Sequence, residues 1–98
     1  MGTMEYITFI HRNTETTPTT DDWEQFLELA DRSGLFRGGS AIGHRSTLGA
    51  KPVSDVTDDI AGYMRFDAEH LEDLTILLQN HPTVVHGGTV EICELPQT

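Results

Sequence analysis

The sequence predicts an α+β fold in the order β-α-β-β-α-β, a four-stranded antiparallel sheet with two helices on one face. Three observations carry this. Four short runs rich in β-branched and aromatic residues alternate with two stretches whose apolar residues recur at helical spacing. Glycine and proline clusters punctuate the chain between these segments. The length, 98 residues, suits one domain spanning 1–98. A chain this short buries only about two thirds of the surface its unfolded form exposes, so a second copy covering an apolar face is expected to help it.

Met4 to His11 (MEYITFIH) reads as the first strand, with Met4, Tyr6 and Ile10 on one face and Ile7 and Phe9 on the other. Neither face is suited to water, so both are expected to be covered. Met1 to Thr3 ahead of it reads as a frayed leader. Asp21 is the expected cap of the first helix, with Glu24 three residues later; Trp23, Phe26, Leu27 and Ala30 form its core stripe, and Gly34 ends it. The second strand is expected from Leu35 to Ile42, with a bulge or close approach at Gly38-Gly39. The 43–60 segment, without clear periodicity, is a long loop of the kind that tends to carry function. Ala61 to Phe66 is the third strand. Asp67 is expected to cap a second helix running to Asn80, with Leu71, Leu74, Leu77 and Leu78 inward and Pro82 as its stop. Gly87-Gly88 then turns the chain into a last strand from Thr89 to Leu95. The economical assembly is the ferredoxin-like one, and the sheet face without helices implies a homodimer in which two sheets face each other.

Composition excludes several partners. With 6 basic residues against 16 acidic ones, the net charge is −10, which argues against nucleic acid and anionic lipid. The acids cluster on the predicted helices, while Arg12, Arg37, Arg45, Lys51 and Arg65 lie on predicted strands and loops, which leaves room for a small anionic ligand. No run approaches the roughly 18 apolar residues of a membrane span, and none resembles a signal peptide. A single cysteine, Cys93, fits a reducing compartment, so a cytoplasmic location is expected. Neither GxGxxG nor GxxxxGK[ST] occurs, nor an HxxxH or HExxH pair, so no cofactor and no metal are expected.

Tyr6-Ile7-Thr8-Phe9-Ile10, Gly34-Leu35 through Gly38-Gly39, Ala61-Gly62-Tyr63, His81-Pro82 and Gly87-Gly88-Thr89-Val90-Glu91-Ile92 stand in an order and spacing that resembles the YCII-related family, which includes the DGPF-domain proteins. The resemblance covers nearly the whole chain and implies a dimeric α/β barrel. It departs at Ser54 to Asp59, where only Asp55 matches Asp-Gly-Pro-Phe, and at Cys93-Glu94, where Arg-Pro often follows in the family. It implies either a cofactor-independent lyase, isomerase or dehalogenase-like enzyme with a His/carboxylate pair, or a non-catalytic ligand-binding or accessory domain.

His81, on the expected apolar stripe of the second helix, is the first candidate acid or base, against a helix-capping role. Asp55 is the candidate to orient it, against a turn-forming role. Glu91, inside the last strand, needs a partner that Arg65 or a histidine can supply, so it reads as catalytic or as a structural ion pair. His11 and Arg12, where strand one leaves the sheet, Ser40 beside the paired glycines, and Arg65 are candidate ligand contacts. His44 and His86 read as surface residues.

Overall fold

A computed structural model of the chain describes residues 2–97; Met1, part of the expected leader, Thr98 and the Val56 side chain lie outside the described residues. The elements are β1 (Met4–His11), α1 (Thr20–Ser33), β2 (Phe36–Ala41), a 3-10 turn (Asp55–Asp59), β3 (Ile60–Ala68), α2 (Leu71–Leu78), α3 (Pro82–Val85) and β4 (Val90–Leu95). The sheet is antiparallel with order β2-β3-β1-β4, the ferredoxin-like arrangement expected.

β1 lies between β3 and β4, and its alternation separates the two faces of the sheet. Tyr6, Thr8 and Ile10 stand opposite Phe66, Met64 and Gly62 on β3 and Glu94, Ile92 and Val90 on β4. Directly opposite residues project to one side. On this side the core forms from Tyr6, Ile10, Met64, Phe66 and Ala68, closed by Phe26 and Ala30 of α1 and Leu74, Leu77 and Leu78 of α2. Thr8, on the same face, is fully buried and its Oγ1 donates to the Met64 carbonyl at 3.0 Å, so the burial of this hydroxyl leaves it satisfied.

Several boundaries differ from those predicted, each for a local reason. The cap of α1 lies two residues before Asp21, at Thr19, because Thr19 and Asp22 form a reciprocal capping box: Asp22 N donates to Thr19 Oγ1 at 3.1 Å and Thr19 N to Asp22 Oδ2 at 2.8 Å. Within the predicted stripe, Phe26 and Ala30 are buried, but Leu27 is exposed. Asp67 does not cap a helix. β3 continues through it to Ala68, its amide bonding Leu35 O and its carboxylate accepting from Arg37 Nε at 3.0 Å, so α2 begins only at Leu71, which is itself exposed. Pro82, expected as a stop, occupies the first turn of α3, where its missing N–H is no loss.

The Gly38-Gly39 irregularity is present as a register shift between Phe36 and Gly39. A Cβ on Gly39 would lie 2.3 Å from the Tyr63 carbonyl oxygen and 2.8 Å from Met64 Cα, so only glycine lets β2 come this close to β3. Gly34 ends α1 in the left-handed region (φ 75°), as the sequence predicts.

Phe66 is the largest fully buried side chain, touching Phe36 with ring centroids 5.5 Å apart. Phe66→Ala is expected to destabilise the chain by about 3–5 kcal/mol in urea denaturation, the range for emptying a buried aromatic site.

Candidate functional site

The second face of the sheet has no helix over it. It carries Ile7, Phe9 and His11 of β1, Tyr63, Arg65 and Asp67 of β3, Ser40 of β2, and Glu91, Cys93 and Leu95 of β4. The apolar residues here are half-buried by their neighbours, and charged pairs flank them: Arg65–Glu5 at 3.3 Å and Arg37–Asp67 at 3.0 Å. Both faces of β1 are apolar as expected, but within one chain only the first is covered by helices.

At one end of this face His11 Nε2 lies 2.9 Å from Glu91 Oε1. The register explains the meeting. Phe9 is directly opposite Glu91, and His11 N bonds Thr89 O, so His11 and Glu91 are diagonal neighbours on the same side, about 7–8 Å apart at Cβ and within reach of long side chains. Cys93 Sγ approaches the other carboxylate oxygen, Glu91 Oε2, at 4.0 Å. Phe9 and Tyr63 lie side by side beneath the pair. His11 is mostly buried and Glu91 about half exposed, so the pair is accessible from the open face.

Glu91's partner is therefore a histidine and not Arg65, which is committed to Glu5. Arg37 and Arg45 are likewise paired, with Asp67 and Asp58, and Arg32 pairs with Glu28. Among the described residues this leaves Arg12 as the arginine without a carboxylate, next in the chain to His11 and exposed. Asp55 sits exposed in the 3-10 turn and meets no histidine among the described residues. Ser40 turns its hydroxyl to its neighbour's carbonyl, Ala41 O, at 2.8 Å. Its residue borders a separate apolar cavity of about 340 Å³ between α1 and the β2–β3 end of the sheet, walled by Trp23, Leu27, Phe36, Ala61 and Met64.

His81 is not placed for the chemistry expected of it. It is not in the last turn of the second helix but is the N-cap of α3, 0% exposed, with Nδ1 accepting the Thr83 amide at 3.0 Å. Phe26 and Trp23 enclose its ring at centroid distances of 4.8 and 4.9 Å. The Nδ1 bond fixes the proton on Nε2, which is buried with no hydrogen-bond partner among the described residues, and the ring stands at 84° to that of Trp23. Neither Asp55 nor Glu91 reaches it. Burial lowers its pKa from 6.5 to about 4, so at neutral pH the ring is uncharged and its lone pair is taken by the cap.

The sequence reading missed His86. Far from being a plain surface residue, it bonds Asp22 Oδ2 through Nε2 at 2.9 Å and Thr16 Oγ1 through Nδ1 at 2.7 Å, tying the 12–19 segment to the start of α1 and the end of α3. The Thr19 amide and His86 together hold the Asp22 carboxyl below its ordinary pKa. The partners are 64 and 70 positions away in the chain, so no local signal announces them.

No group of three or more His, Cys, Asp or Glu side chains among the described residues converges as a metal site would. No described helix is long and apolar enough to cross a membrane. Compared with known proteins, the chain matches no family model and no curated sequence.

His81 makes stability depend on pH. Its neutral form is favoured in the folded state, so its contribution is complete above pH 6.5, where the unfolded imidazole is also neutral, and falls as the pH drops toward 4. The loss over that window is expected to be roughly 3 kcal/mol. His81→Asn keeps a capping side chain but cannot titrate; unfolding free energies measured between pH 4 and 7 are expected to slope less in this variant, by about one proton.

Proposed function

We propose that the protein is a cofactor-independent small-molecule enzyme of the lyase, isomerase or dehalogenase type, similar to the YCII-related proteins. In this reading it works in the cytoplasm as a homodimer with its sheets facing. The carrying observation is the His11–Glu91 contact at the end of an aromatic, helix-free sheet face.

With Nε2–H donated to Glu91, the other ring nitrogen, Nδ1, keeps its lone pair and accepts a proton from a substrate carbon. Glu91 stabilises the imidazolium that forms, and the proton is later returned to the product or leaving group. Phe9 and Tyr63 offer a surface for a flat ring, and Arg12, the arginine without a carboxylate among the described residues, offers a cation for a carboxylate. This reading keeps a histidine with a carboxylate, taking His11 in place of His81 and, of the two carboxylates expected from the sequence, Glu91 rather than Asp55.

A second reading has one observation behind it. The 340 Å³ cavity beneath α1 has almost wholly apolar walls, which suits a domain that binds an apolar molecule without transforming it.

Two measurements test this. Sedimentation is expected to give about 22 kDa, twice the 10.9 kDa chain; a stable monomer at micromolar concentration excludes the facing-sheet dimer. Small aromatic and aliphatic carboxylates incubated with the protein in heavy water are expected to exchange carbon-bound hydrogen, read by NMR. His11→Asn should slow this by about 10²–10⁴-fold at unchanged melting temperature. Equal rates in both proteins, or binding without exchange across the panel, would favour the non-catalytic reading.

A further inference from the structure

We propose that the segment joining β2 to β3, residues 43–59, is an arm that clasps a second copy of this chain, with Leu48 and Val53 as its anchors. The inference rests on the facing-sheet homodimer above and names the part of the chain that secures it.

The base of the arm is pinned. Ile42 N bonds Ala61 O at 2.9 Å, Arg12 N bonds Asp59 O at 2.6 Å, and Arg45 meets Asp58 at 3.4 Å across the two limbs. Beyond this base the arm has little cover: every residue from 46 to 55 is exposed, Leu48 fully and Val53 by 61%. A segment that is held at its root and keeps apolar side chains in water is ordered for a contact its own domain does not make.

The dimensions agree. The Cα radius of gyration is 14.5 Å, where a compact domain of this length has about 12.5 Å. The chain spreads over 43 × 39 Å but is only 18 Å thick.

Charge selects the occupant. Residues 43–53 contain His44, Arg45 and Lys51 and no acid, in a chain whose net charge is −10. Arg45 is paired with Asp58 and the returning limb carries Asp55, Asp58 and Asp59, so Lys51 is the cation that the acid-free tip offers to the acidic surface of another copy.

Area supplies a reason for it. Four strands spaced about 4.8 Å apart and paired over some six residues present only about 400 Å² of flat face. A stable association buries about 800 Å² on each partner. A flat face of this size is small for a stable association, and the arm adds Leu48 and Val53, apolar side chains that its own domain leaves in solvent. The arm leaves the sheet where His11 pairs with Ile60, at the end of the sheet that carries His11 and Glu91.

The test replaces both anchors, Leu48→Asp with Val53→Asp. Both side chains stand in solvent, so the circular dichroism of the variant is expected to match the wild type, while its dimer dissociation constant rises at least tenfold by analytical ultracentrifugation. A wild-type dimer whose dissociation constant is unchanged by the two substitutions overturns the arm and leaves the dimer standing; a wild-type monomer overturns both. Trypsin gives an independent readout at the Arg45–Ser46 bond, where cleavage is expected to slow as protein concentration rises through the dissociation constant. Cleavage at a rate independent of concentration also overturns the arm.

Discussion

The register of β1 between β3 and β4 organises both faces of the sheet. β1 contributes a buried face to the helices and a half-buried face to the outside, and its pairing decides which side chains from three strands meet on each. A slip of one residue would carry Thr8 and Tyr6 to the open side and Phe9 and His11 into the core. The slip is opposed on both sides at once. Thr8 has its carbonyl partner at Met64 only in the observed register, and Phe66 has its place against Tyr6 and Phe36.

The same register makes the His11–Glu91 pair, which is therefore a product of sheet geometry and not of a loop. Side chains placed on paired strands are held with little freedom, which is what the proton transfer proposed above requires. The charge distribution reinforces this. The acids of α1 and α2 form a solvated outer layer, and carboxylates paired with Arg37, Arg45 and Arg65 neutralise most of the basic residues on the sheet side and its loops. Exposed pairs of this kind contribute at most about 1 kcal/mol each, so their main effect is on which cations remain for a ligand.

The two helical capping sites show how local chemistry and long-range packing divide the work. The Thr19–Asp22 box is local, three residues apart, and is visible in the sequence as a threonine followed by an acid, although the neighbouring Asp21 with Glu24 offered a competing pattern. His81 and Pro82 also form a local start signal, a cap followed by proline. In the sequence they look like the end of the preceding helix, because leucines run up to them at helical spacing. What separates the readings is the burial of His81 between Trp23 and Phe26, residues nearly sixty positions earlier.

By itself the sequence determined the element order, the antiparallel α+β class, the αL end of α1 at Gly34 and the irregularity at Gly38-Gly39, because each follows from periodicity or backbone sterics within a few residues. It also singled out His11 and Glu91 and the need of the latter for a partner. It takes the folded chain to show that His11 is that partner, that His81 is a neutral sealed cap, that His86 is a tether, and that residues 46–55 are all left exposed. These are contacts between residues far apart in the chain, or contacts not made. They depend on strand register and layer packing, which a one-dimensional pattern does not encode.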